Sequence, residues 1–150
     1  MPRSHRFVYL LTRARAALVQ RLDRDCSERL GVTAAQASGL HVLSSNDGVR
    51  SSDFARAMHL DNAAITRLVA RLEAKRLVEQ RPDKHDRRVR RVHLTRSGRA
   101  RAAGARDAQA AINRLLQRGF TDAELDAVAR FLAQVIELVG EADPLESGPG

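Results

Sequence analysis

The hydrophobic period of the chain changes at Arg76, and that change restricts the fold more than any other feature. Before it, Ile65, Leu68, Val69 and Leu72 recur at i, i+3, i+4 and i+7, one buried stripe of an α-helix. After it come Leu77-Val78-Glu79-Gln80-Arg81 and Val89-Arg90-Arg91-Val92-His93-Leu94, short runs rich in β-branched residues. Pro82 and Asp83 mark a turn between them. The pattern predicts a helix running into a two-stranded hairpin. Its tip is KHDRRVRR, residues 84–91, in which five of eight residues are Lys or Arg and one, Asp86, is acidic.

Helical signals surround this core. Phe7, Leu10, Leu11, Ala14, Ala17, Leu18 and Leu22 recur at helical spacing in a segment that Gly31 ends. Thr33-Ala34-Ala35-Gln36 reads as a capping box opening a second helix, with Leu40 and Leu43 inward. Asn46-Asp47-Gly48 is a turn signal. Ser51-Ser52-Asp53 is expected to cap a short third helix, Phe54 to Met58, with Phe54, Ala57 and Met58 inward. Asp61 is the expected N-cap of the striped helix, whose other face shows Asn62, Ala63, Thr66, Arg67, Ala70 and Arg71. Thr95 caps an Ala-rich helix to about Gln117, with Ile112, Leu115 and Leu116 near its end and Gly119 breaking it. Thr121-Asp122-Ala123-Glu124 is a second capping box. The helix after it turns Leu125, Val128, Leu132, Val135, Ile136 and Val139 inward. Residues 143–150 hold two Pro and two Gly and are expected to be frayed.

Charge concentrates where the period changes. From Arg50 to Arg101 there are 15 Lys or Arg and 6 Asp or Glu, a balance of +9. The other 98 residues balance at −1, so the chain's +8 belongs to one central segment. Such a segment calls for an anionic partner. A single cysteine, Cys26, excludes an intramolecular disulfide and fits a reducing cytosol. The apolar stretch Phe7–Leu11 is shorter than a signal-peptide core, and nothing approaches a transmembrane span. A cytoplasmic protein without a membrane partner is the expectation.

Two helices and a basic hairpin suggest a winged helix-turn-helix on double-stranded DNA. The major groove admits a helix, and the minor groove admits a slim Arg-tipped loop. Small Ala63 and Ala64 let the helix backbone approach base edges, within reach of Asn62, Thr66 and Arg67. Residues 54–98, FARAMHLDNAAITRLVARLEAKRLVEQRPDKHDRRVRRVHLTRSG, resemble the DNA-binding core of the MarR (multiple antibiotic resistance regulator) family. The recognition-helix stretch ITRLVARLEAK and the wing DRRVRRVHLTRSG carry the resemblance, most specifically in the spacing of Asp86, Arg88, Leu94, Thr95 and Gly98. The order of flanking helices extends it to about residues 7–140.

The resemblance implies a mainly α fold with a small β-wing. Residues 1–32 would form an N-terminal dimerisation helix, 33–97 the DNA-binding lobe, 98–142 the C-terminal dimerisation helices and 143–150 a disordered tail. It also implies a homodimer on a pseudo-palindromic operator, acting as a repressor that a small ligand releases. Apolar stripes on the outer helices, which one small lobe cannot cover, point to the dimer independently. By resemblance Arg88 is the wing-tip Arg that enters the minor groove, and Asp86 the acid that pairs with its guanidinium. Thr66 and Arg67 match helix positions that touch DNA. With them, Ser52, Asn62, Ala63, Arg71, Lys84, Arg87 and Arg90 are candidate DNA-binding residues, and Arg91 a phosphate or solubilising contact. His59 and Arg76 stand where the family has Gly. A non-Gly residue in the left-handed region costs about 1 kcal/mol, so another turn conformation is expected at both.

Other readings have less to stand on. Cys26 could serve a thiol-based redox sensor with Arg24 and Arg29 lowering its pKa, but Tyr9 is the only tyrosine and lies 17 residues away. A small buried hydrophobe is the plainer reading. The histidines show no paired ligand spacing, so no metal and no cofactor is expected. No phosphate-cradling Gly-rich loop, Gly-x-Ser-x-Gly or convergent acid/base pair supports an enzyme or a catalytic residue. Arg13, Arg15 and His41 are weak candidates to meet a small-molecule effector such as an aromatic acid. The alternative from another class is an architectural, nucleoid-type DNA-binding protein without an effector.

Overall fold

Helix boundaries follow the capping chemistry. The computed structural model describes residues 6–140 and begins with α1 (Phe7–Leu30), closed by Gly31 in the left-handed conformation (φ 64°). Gln36 N–H donates to the Thr33 hydroxyl (3.1 Å) and Thr33 N–H to Gln36 Oε1 (3.2 Å), the reciprocal box that opens α2 (Ala34–Ser45). Strand β1 (Val49–Arg50) leads into α3 (Ser51–Ala57). Asp61 Oδ1 accepts from Ala64 N–H at 2.7 Å and caps α4 (Asn62–Ala74). The hairpin β2 (Val78–Pro82) and β3 (Arg90–Leu94) follows, then α5 (Arg96–Leu116) and α6 (Asp122–Gly140). Gly98 N–H donates to the Thr95 hydroxyl (3.0 Å) at the start of α5, as the sequence predicts. The tail 143–150 lies outside the described residues.

The chain divides into two compact units, one running through Ala111 and the other from Ile112. In the first, Leu40 and Leu43 of α2, Phe54 of α3, Ile65, Leu68, Val69 and Leu72 of α4, and Val92 and Leu94 of β3 form one buried core. Full burial of such a side chain contributes about 1.5–3 kcal/mol, so this cluster anchors α4 and the wing together. In the second unit Thr121 N–H donates to Glu124 Oε2 (2.8 Å), and the Glu124 N–H returns to the Thr121 hydroxyl (3.4 Å). The Thr121 N–H and hydroxyl hold the Glu124 carboxyl below its ordinary pKa.

Four expectations change. The wing is a three-stranded antiparallel sheet in the order β1-β3-β2, because Val49 and Arg50 pair with Val92 and Arg91. That pairing also removes the Ser51-Ser52-Asp53 cap. The chain turns from strand directly into helix, so the N-cap is Arg50, which supplies no side-chain hydrogen bond. In the core Ala55, not Ala57, joins Phe54, and Met58 packs against them as the sequence predicts.

His59 and Arg76 keep the left-handed turn (φ 52° and 56°). Leu60 N–H reaches back to the Ala55 carbonyl (2.9 Å), and Leu77 N–H to the Leu72 carbonyl (3.0 Å). This six-to-one closure requires a left-handed residue just before it; after Gly31 the Val32 N–H reaches one residue further back, to the Cys26 carbonyl (3.4 Å). Burial of Leu77 and the recovered hydrogen bonds outweigh the conformational cost at Arg76.

The fourth change concerns α6. Val128, Leu132, Ile136 and Val139 share one face as expected, but they are exposed, and α6 buries none of its residues.

Candidate nucleic-acid interface

Burial divides α4 lengthwise. The stripe Ile65, Leu68, Val69 and Leu72 is buried, and Asn62, Ala63, Thr66, Arg67, Ala70 and Arg71 are exposed. With Asp61 holding the first turn, Asn62 is free of the capping task. The Thr66 hydroxyl donates to the Asn62 carbonyl (2.7 Å), a local bond an exposed hydroxyl can exchange for another acceptor. Ser52, on the first turn of α3, is exposed as well. This face is an uncharged-to-cationic surface with small residues near its N-terminal end, suited to a groove edge.

The wing is organised by an acid that sequence reasoning passed over. Asp83 is 3% exposed. Its Oδ1 accepts the N–H groups of His85 (2.8 Å) and Asp86 (3.2 Å), and its Oδ2 accepts Arg91 Nε. The His85 N–H, the Arg91 guanidinium and the Asp86 N–H together hold this carboxyl well below the usual range, against the opposing effect of burial. Arg91 Nη1 also donates to the Gly48 carbonyl (2.8 Å), so Arg91 is tied into the wing's interior. Asp86 has a different role from the one its resemblance implies. Its Oδ1 accepts the backbone N–H of Arg88 (3.0 Å), which shapes the turn without gripping the guanidinium. The side chains of Lys84, Arg87 and Arg88 are exposed and make no ion pair among the described residues.

Between wing and helix lies a cleft of about 410 Å³, lined by Arg50, Ser51, Ser52, Thr66, Gln80 and Arg88 to Arg90. It brings together Ser52, Thr66, Arg88 and Arg90 from three separate stretches of sequence. Arg50, Ser51 and Gln80 were missed. A two-residue strand has no period to read, and only its pairing to β3 brings Arg50 here. The order helix, helix, wing, with cations on the exposed faces of the last two, is a winged helix-turn-helix. Residues 30–89 match the model of the MarR family.

Over those residues the lobe is similar to the MarR family. Over 71 residues the chain is 34% identical to the uncharacterized HTH-type transcriptional regulator YdgJ of Bacillus subtilis (strain 168), covering 47% of this chain and 43% of that protein. The match therefore spans less than half of that relative. The fold extends further. A structure of the MepR–DNA complex of S. aureus superposes with a TM-score of 0.83 at 21% identity, covering 91% of this chain and 99% of that one. Bordetella bronchiseptica BpsR, whose structure is described as a mechanism for regulation of DNA binding by 6-hydroxynicotinic acid, gives a TM-score of 0.75 at 27% identity. It covers 87% of this chain and 98% of its own.

The same lobe borders a second cavity of about 580 Å³. Its apolar lining includes Val19 and Leu22 of α1, Val42 of α2, and Met58 and Leu60 beyond α3; Arg15, His41 and Arg106 add polar and cationic groups. Arg15 and His41 are thus brought together, while Arg13 does not line the cavity. Cys26 is in the wall, 2% exposed. Burial pushes its thiol up, and the nearby charges of Asp23 and Asp25 push further in the same direction. A thiol so placed is a poor nucleophile. Among the described residues no group of three or more His, Cys, Asp or Glu could hold a metal ion.

Proposed function

We propose that this chain is a non-enzymatic, sequence-specific transcriptional regulator that binds a pseudo-palindromic operator as a homodimer. The observation that carries this reading is the pairing of an acid-free exposed face on α4 with a wing on which the Lys84, Arg87 and Arg88 side chains make no ion pair among the described residues. Residues 33–97 act as the DNA-binding lobe, with the segments 1–32 and 98–142 forming the dimer. The DNA complex of the similarly folded S. aureus protein supports the partner. Exposed Val8, Tyr9 and Leu10 on α1, and Val128, Ile136 and Val139 on α6, support the dimer. Asn62, Thr66 and Arg67 meet base edges or phosphates in the major groove, and Arg88 enters the minor groove. That no helix among the described residues is long and apolar enough to cross a membrane agrees with action in the cytoplasm.

Regulation by a small carboxylic acid is the second part of the proposal. The cavity's apolar walls suit an aromatic ring, and Arg15, His41 and Arg106 among its lining suit a carboxylate. The 6-hydroxynicotinic acid in the description of BpsR is an aromatic acid of this kind. A ligand that prefers one spacing of the two lobes then shifts the dimer off its operator and relieves repression. Footprinting on DNA upstream of the chain's own gene, with and without a panel of aromatic acids, tests both parts. Protection at least ~10³-fold tighter than binding to random DNA is expected. Equal affinity for both would favour an architectural protein, and indifference to every acid would sink the effector reading.

A further inference from the structure

The exposed face of α4 carries the DNA contacts proposed above, but its far end is tied inward by a cation. Lys75 is the C-cap of α4, its backbone N–H bonded to the Arg71 carbonyl (3.3 Å). Its ammonium crosses to the elbow between α1 and α2, donating to the Gly31 carbonyl (2.7 Å) and to Gln36 Oε1 (2.9 Å). Gln36 is buried, and the same Oε1 accepts the Thr33 N–H that completes the capping box. Beside Gly31, the Leu30 carbonyl accepts Arg101 Nη1 of α5 (2.6 Å). Asp23 of α1 also holds the elbow, its Oδ1 accepting the Ala34 N–H (2.5 Å). An ammonium carried on the end of α4 thus sits at the carbonyl end of α1, where the helix dipole favours a cation over a neutral donor.

We propose that Lys75 is a positioning residue of the DNA interface: without touching DNA, it fixes the direction of α4 against the α1–α2 elbow. The proposal rests on the DNA-binding and dimer readings above and names the residue that sets α4 against α1. The buried stripe of α4 holds the helix to the core, but apolar burial is non-directional. Two hydrogen bonds from one ammonium, in contrast, set an angle. Lys75 lies 13 residues past Asn62, about 20 Å along the helix axis. A tilt released at Lys75 is therefore carried to the end of α4 that meets base edges. In a dimer the two copies of α4 must enter major grooves about one turn of DNA apart. Because α1 belongs to the proposed dimer, tying α4 to its end sets that separation.

The test uses the full chain, the operator defined by footprinting, and the same operator with one base pair inserted or removed at its centre. Lys75→Met keeps the apolar stem and removes the ammonium; Lys75→Arg restores charge and donors. Lys75→Met is expected to weaken operator binding about 3- to 30-fold. Its preference for the native spacing is expected to shrink at least about threefold. Its log–log salt slope between about 50 and 200 mM is expected to equal that of wild type. Lys75→Arg is expected to recover affinity and spacing preference together. Where thermal melts show Lys75→Met unfolded at the assay temperature, Lys75→Gln, a donor without the charge, is read by the same three measurements. Wild-type affinity and spacing preference in the neutral variant overturn the proposal. A loss of affinity with spacing preference intact assigns Lys75 to stability alone and overturns it too. A salt slope lowered by about 1.8, or ~0.9 per lobe, makes Lys75 a phosphate contact instead. A wild-type chain indifferent to operator spacing overturns the dimeric DNA-binding reading and this proposal with it.

Discussion

Arg88 and Arg91 lie three positions apart on the wing and have opposite fates. Arg91 is half-buried against Asp83 and the Gly48 carbonyl, whereas Arg88 is held through its backbone N–H and leaves its guanidinium exposed. A charge whose partner is internal contributes to the fold; a charge without one is available to a ligand. Arg88→Ala is therefore expected to weaken operator binding by about 1–3 kcal/mol while the sedimentation behaviour stays that of wild type. A loss below about a few tenths of a kcal/mol would remove Arg88 from the minor groove. His59 and Arg76 present the reverse case, residues whose backbones are strained for the sake of a helix end. Replacing either with Gly is expected to raise stability by up to about 1 kcal/mol, read as a higher urea midpoint at unchanged m-value. No gain at either site would mean that the side chain itself supports the turn.

Among the elements, the wing depends most on one residue. Asp83 closes the β2–β3 turn through two backbone N–H groups and anchors Arg91, so Asp83→Asn is expected to lower Tm. Its folded carboxyl titrates below the ordinary range near 3.9. Its stabilisation is therefore complete above that range and is lost as pH falls from it towards the lower folded value. The Tm gap between wild type and Asp83→Asn should accordingly be wide near neutrality and narrow in acid; a gap independent of pH would contradict the ionised role. At the junction of wing and α5, a Cβ on Gly98 would stand 1.9 Å from the Leu77 carbonyl oxygen. Gly98→Ala is expected to cost at least about 1–3 kcal/mol, measured by denaturant unfolding, because backbone must move to admit it. The helices α2, α4 and α6 and the hairpin strands were legible, since caps and hydrophobic periods are local chemistry. Strand β1 was not, because two residues carry no period and exist as a strand only through Val92 and Arg91. The left-handed turns were misjudged for a related reason: the hydrogen bonds and packing that hold His59 and Arg76 there offset a local cost that is all the sequence displays.

At the scale of the molecule, the exposed stripe of α6 carries the dimer proposal. Ile136 and Val139 are 71% and 80% exposed, more apolar surface than a solitary helix gains by showing to water. Ile136→Glu with Val139→Glu is expected to shift the chain to monomer in sedimentation equilibrium and to weaken operator binding by more than tenfold, since one lobe grips only one half-site. A double variant that remains a dimer would assign that surface elsewhere. The sequence by itself determined the helix order, the hairpin, the basic tip and most of the exposed α4 face, because each is written in spacing, capping residues and charge within one short segment. Only the tertiary structure decided that Asp83 closes the wing turn beside Asp86, that Arg91 turns inward, and that Arg50 and Arg90 line one cleft. Those outcomes depend on which backbone groups and side chains meet after strands separated by some 40 residues pair, and distance along the chain does not encode that meeting.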